Sequence, residues 1–191
     1  MNRRSFIVSG SALAAWALLS GHSPYRKFQI YRKTRLIVMA ANDDKRAGVV
    51  ADGLAGFFAT YWKDSKSASG RAQTAPELVK LLLTSQLEVG VLSKSDAAAA
   101  RLGQDRFAKL GPAALCALAV LKDHMLVTRE DLLTPIAEKI LQAMQANWTS
   151  LNPDLTGAVA GPYVGQQIGI PLHSVVADFY RRPTPATDQA G

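Results

Sequence analysis

The chain has 191 residues, 48% of them hydrophobic and 19% charged, values that belong to a globular domain with a real core and exclude a disordered chain. Its net charge of +7 belongs to the N-terminal region: seven of the 22 basic residues precede Leu36, and the remaining fifteen balance fifteen acids. The lone Cys116 excludes an internal disulfide, so the fold stands on packing.

The chain opens Met1-Asn2-Arg3-Arg4-Ser5-Phe6, followed by an apolar run from Ala12 to Leu19. Paired arginines ahead of a short apolar segment have the layout of an export signal. Arg3-Arg4 with Phe6 resembles the twin-arginine pattern; the other reading is an ordinary secretory leader that carries two arginines. The run is shorter than the roughly 20 residues of a membrane span. Ser20, Gly21 and Ser23 are small but form no A-x-A processing site, and no cysteine follows the run, which excludes lipoprotein processing. Residues 1–23 are therefore expected to direct the protein to the periplasm, either removed afterwards or kept as a tether to the inner membrane. Residues 24–35 read as a basic linker, with Arg26, Lys27, Arg32, Lys33 and Arg35 interleaved with Tyr25, Phe28 and Tyr31. A solvated linker and a contact with an anionic membrane surface are both open, and export argues against nucleic acid.

Leu36 to Ala40 is an apolar run that predicts a buried parallel strand. Val50, Leu54, Phe57, Phe58 and Tyr61 predict an amphipathic helix over Val49 to Trp62, and Lys63 to Gly70 reads as a polar loop. Thr74-Ala75-Pro76-Glu77 carries a capping box, in which Thr74 accepts the Glu77 amide and the Glu77 carboxylate reaches back to the Thr74 amide. That helix runs to about Gln86. Glu88 to Leu92 predicts another buried strand, and Ser95-Asp96 caps a helix built on the alanines up to Ala100. Leu115–Leu121 and His124–Val127 read as a hairpin, although Lys122-Asp123 is not a preferred turn. Thr134-Pro135 caps and opens a helix with Ile136, Ile140, Leu141, Met144 and Trp148 on one face. Asn152 to Gly169 is loose and glycine-rich, a last helix spans Ser174 to Arg182, and 183–191 reads as a disordered tail. The order strand, helix, helix, strand, helix signals an α/β layered domain over 36–182.

Three stretches resemble the solute receptors of TAXI-type TRAP transporters, two-lobed type II periplasmic binding proteins. They are Pro76 to Leu82 leading to Glu88–Ser93 and Ser95-Asp96; Leu126 to Leu132 with the helix from Ile136 to Trp148; and Ile170-Pro171-Leu172-His173 with Ala177 to Tyr180. The resemblance implies an α/β, Rossmann-like first lobe. It also implies that the second lobe is missing, because the strand ending near Leu121 meets the returning strand at His124 directly. Where the family has a glycine- and threonine-rich loop holding an anionic ligand, this chain has Ala41-Asn42-Asp43-Asp44-Lys45-Arg46, whose two carboxylates repel an anion.

The residues bordering the old cleft are the candidate site: Asn42, Lys45, Thr74, Ser93 and Ser95. The helix N-termini near Thr74 and Ser95 are candidate anion seats, although ordinary capping explains both residues. His124 and His173 lie far apart, with no Cys/His cluster to complete a metal site. There is no nucleophile elbow and no phosphate loop, and Cys116 sits in an apolar run as a structural thiol. No cofactor is expected. The resemblance implies a non-catalytic solute-binding or accessory protein, meeting another exported protein or a transporter's membrane component. The alternative is a TRAP substrate-binding subunit that captures a small organic anion, an amino acid or dicarboxylate, with a homodimer supplying the missing lobe.

Overall fold

The computed structural model describes residues 35–152 and 169–181, all within the compact unit Thr34–Gly191. The leader, nearly all of the basic linker, most of the glycine-rich stretch and the tail lie outside the described residues, as does Arg182 at the expected end of the last helix. The path runs β1 (Ile37–Ala41), α1 (Lys45–Tyr61), β2 (Ala68–Ala72), α2 (Ala75–Leu83), β3 (Val89–Ser93), α3 (Lys94–Leu102), β4 (Leu115–Val120), β5 (His124–Arg129), α4 (Thr134–Asn147) and α5 (Ser174–Arg181). Short 3-10 turns stand at Lys63–Ser65, Asp105–Phe107 and Trp148–Ser150.

The five strands form one mixed sheet in the order β2-β1-β3-β5-β4. β1 pairs parallel with β2 and β3, while β5 runs antiparallel to both β3 and β4. Helices cover both faces, which is the α/β architecture expected and is compatible with a single Rossmann-like lobe. On one face α1, α4 and α5 bury Leu54, Phe58, Ile140, Met144 and Val176 against Val38, Val91 and Leu126. On the other, α2 and α3 bury Leu78, Leu82, Ala97 and Ala100 against Met39, Leu92 and Met125. Every position of β4 and β5 is buried, which explains why their sequences are apolar without alternation. A buried leucine such as Leu54 contributes about 1.5–3 kcal/mol relative to exposure, so these two layers carry the fold. In β4 a bulge at Leu118 turns Leu118 and Ala119 onto the α1 face together.

Several sequence expectations are corrected. The stretch read as a loop contains the start of β2, whose sequence Ala-Ser-Gly-Arg-Ala has no β-branched or aromatic residue. It is a strand because β1 offers it a register, from Ile37 opposite Ala68 to Ala41 opposite Ala72. Helix α1 begins four residues earlier than its apolar pattern, because Asp44 caps it. Glu77 closes its cap on the Gln73 amide at 2.7 Å instead of the Thr74 amide. Ser93, not Ser95, caps α3. Thr134 is the first helical residue of α4, and the N-cap is Leu133, which makes no side-chain cap bond. Trp148 lies beyond the helix, in the 3-10 turn.

Candidate functional site

β1, β2 and β3 all end at one edge of the sheet, and α1, α2 and α3 all begin there. β1 connects to β2 on one side and neighbours β3 on the other, so the β1/β3 junction is the topological switch point at which open α/β sheets hold their ligands. All five sequence-predicted residues lie at this edge. Asn42 is exposed in the turn after β1, its amide donating to the Ala72 carbonyl at 2.9 Å. Lys45 is the exposed first residue of α1. Thr74 caps α2, accepting the Glu77 amide at 3.3 Å. Ser93 Oγ accepts the Asp96 amide at 3.1 Å and lies 3.0 Å from Ser95 Oγ, which is exposed.

The remaining members come from distant parts of the chain. Asp44 Oδ1 accepts the Ala47 amide at 2.9 Å, and its Oδ2 lies 3.2 Å from His124 Nε2 at the start of β5. Asp43 Oδ2 accepts the Ala75 amide in the first turn of α2 at 3.4 Å and binds Arg106 Nη1 at 2.7 Å. Arg106 also grips Asp96, through Nε to Oδ1 at 3.1 Å and through Nη2 to Oδ2. Asp123 in the hairpin pairs with Arg46 at 3.4 Å, and its carbonyl accepts the Lys94 amide at 3.1 Å.

Each of the three helix N-termini is thus filled by oxygens of the chain itself. An N-terminus carries about half a positive charge and unpaired amides, and here Asp44, Thr74 with Asp43, and Ser93 with the Asp123 carbonyl occupy them. The electrostatics follow. Burial pushes the Asp44 carboxyl up, but the Ala47 amide, the His124 hydrogen bond and the His124 charge outweigh it, so its pKa falls below the ordinary 3.8. Burial lowers the pKa of Arg106, and its contacts with Asp96 and the charges of Asp43 and Asp44 raise it above its ordinary value.

Ser93 and His124 stand opposite each other in the β3–β5 register, with Asp44 behind the imidazole. Nucleophilic catalysis needs a serine hydroxyl bonded to the base. Ser93 Oγ is instead engaged by the Asp96 amide and Ser95 Oγ, so the set lacks the contact that activates a nucleophile.

A shallow cavity of about 270 Å³ lies away from this edge, beside β4, lined by Cys116, Glu130 and Pro171 to Ser174. Burial pushes the Cys116 thiol up to about 12, so it stays protonated and inert. Burial pulls the His173 pKa down, against a smaller pull from the Leu132 carbonyl, and its Nδ1 accepts the Val175 amide at 3.3 Å. His173 therefore organises the start of α5. Among the described residues no cluster of His, Cys, Asp and Glu is arranged to hold a metal, and no helix is long and apolar enough to cross a membrane.

Sequence reasoning reached the Thr74 cap, which lies beside its helix, and misplaced the cap of α3 by two residues. It missed Arg106 and Asp96 because the clamp joins residues 63 and 10 positions apart, a separation that leaves no local pattern. Comparison with protein-family profiles and with curated proteins finds no match to this chain.

Proposed function

We propose that this chain is an exported, non-catalytic binding or accessory protein. In this reading it is a single type II periplasmic binding-protein lobe, similar to the first lobe of TAXI receptors. It acts by contact with another exported protein or with a transporter's membrane component. The observation that carries the reading is the filled state of the three helix N-termini. An organic anion has to displace Asp44 or Asp43 to reach the amides of α1 or α2, and both carboxylates repel it; at α3 it has to displace the Ser93 hydroxyl and the Asp123 carbonyl. A protein surface needs no vacant anion seat; it needs an open, polar, well-ordered edge such as Asn42, Lys45, Thr74 and Ser95 provide.

The β4–β5 connection supports the same reading. Leu121 donates its amide to the His124 carbonyl at 2.9 Å, closing the hairpin around Lys122-Asp123 where the family resemblance expects a whole second lobe. A receptor gains most of its affinity by burying its solute between two lobes, and a lone lobe leaves half of the solute in water.

Thermal denaturation of the exported protein with amino acids and dicarboxylates separates this from the alternative, a TRAP substrate-binding subunit that holds a small organic anion. We expect no change in Tm; a rise of several degrees at millimolar ligand sinks the accessory reading. Affinity purification from periplasm is expected to recover a stoichiometric partner that Lys45→Glu combined with Ser95→Arg releases.

A further inference from the structure

We propose that β2 is the interface for a second copy of this chain, pairing antiparallel with its symmetry mate about Gly70. The sheet has two outer strands, β2 and β4. The free side of β4 is taken at Ala117, whose amide donates to the Pro171 carbonyl and whose carbonyl accepts the His173 amide, both at 2.9 Å. β2 has no strand along its outer side among the described residues.

The pairing with β1 dictates which groups face outward. The Ala68 amide donates to the Leu36 carbonyl at 3.0 Å, and the Ala72 carbonyl accepts the Asn42 amide at 2.9 Å. With an unbroken parallel register between these ends, Ala68, Gly70 and Ala72 are the residues of β2 that bond to β1. Ser69 and Arg71 turn their amides and carbonyls away from the sheet, and both residues are exposed.

Two outward residues flanking an inward glycine are self-complementary under a two-fold axis. With Gly70 opposite Gly70 of the second copy, each Ser69 faces an Arg71, and each such pair exchanges two N–H···O bonds. Every outward group of both strands is then satisfied. Sliding by two residues one way sets Arg71 against Arg71 and Ser69 against Gln73, whose amide is already held by Glu77 at 2.7 Å; sliding the other way sets Arg71 against Ser67, whose amide is held by Ser65 Oγ at 3.2 Å. The charges agree with the centred register. Arg71 binds Asp52 at 2.6 Å, and Ser69 hydrogen-bonds the same carboxylate, so each guanidinium is brought toward the Asp52 of the other copy. A lone arginine on an edge strand ordinarily deters pairing with unrelated strands, which makes this edge selective for its own copy.

The consequence reaches beyond the function proposed above. The doubled sheet runs antiparallel across its centre, so the two candidate edges point to opposite ends of the dimer and each stays open. Such a dimer offers two docking edges and does not rebuild a two-lobed cleft.

Sedimentation of the full exported protein tests this, with a dimer expected at tens of micromolar. Ser69→Pro removes an outward donor without touching a bond to β1 and is expected to give a monomer with an unchanged far-UV circular dichroism spectrum. Gly70→Cys is expected to form a reducible cross-linked dimer in air, because the paired Cα atoms lie about 4.5 Å apart, whereas Ser69→Cys does not, its mates being roughly 9 Å apart. The new Cβ at position 70 meets the mobile end of Met39 at 3.2 Å and the branched methyl Cγ2 of Ile37 at 3.3 Å, so a small shift of Ile37 accommodates it. A monomeric wild type, a dimeric Ser69→Pro, or cross-linking through Ser69→Cys but not Gly70→Cys overturns the proposal. If Gly70→Cys fails to fold, the sedimentation of Ser69→Pro decides.

Discussion

His124 Nε2 lies 3.2 Å from Asp44 Oδ2, joining the β4–β5 hairpin to the first turn of α1 across 80 positions of sequence. The imidazole is nearly buried and the carboxylate is also the N-cap of α1, so the contact fixes two elements of the candidate edge at once.

Asp44→Ala is expected to lower stability by about 1 kcal/mol, the ordinary worth of an N-cap, measured by urea denaturation at neutral pH. The acid dependence has a definite sign. The folded pKa of Asp44 lies below its ordinary value of 3.8, so its contribution is complete above 3.8 and is lost as pH falls through the folded value. The stability gap between wild type and Asp44→Asn should therefore narrow in strong acid. A gap that widens there contradicts the assigned hydrogen bonds.

Arg106→Ala leaves Asp43 and Asp96 without their shared cation. Because Arg106 and Asp43 are 37% and 33% exposed, solvent screens the pairs and the expected cost is about 1 kcal/mol or less. A double-mutant cycle with Asp43→Ala should give a coupling of about 0.5–1 kcal/mol that shrinks in high salt. Zero coupling at low salt would remove the clamp from the description of the edge.

Gly103→Ala is expected to cost roughly 1–3 kcal/mol, read as a drop in Tm. Gly103 ends α3 at φ +64°, and a Cβ there meets the carbonyl carbon of Gly111 at 2.5 Å, a backbone atom that cannot swing aside. Full tolerance would mean that the turn into β4 is set differently.

Cys116 should resist thiol reagents in the folded protein at pH 8 and react fully in denaturant. It is 2% exposed and its pKa stands at about 12, so neither access nor thiolate is available. Rapid labelling of the native protein contradicts the packing of β4.

The sequence by itself determined the elements whose information is local. Runs such as Val89 to Leu92 and Leu115 to Val120 are apolar throughout because both of their faces are covered, and the helices of Leu54 and Ile140 repeat at 3.6 residues. Those patterns were enough for the α/β class and the β4–β5 hairpin, whereas Asn42, Lys45, Thr74, Ser93 and Ser95 were singled out through the resemblance, as the border of a cleft. Only the tertiary structure decided the rest. β2 is a strand because β1 pairs with it, since its own residues bury little and carry no β preference. The site is a self-filled edge because Asp43, Arg106 and Asp96, and likewise Asp44 and His124, meet through the crossing of elements. Hydrophobic burial writes its period along the chain, whereas a charge pair between distant segments leaves no period to read.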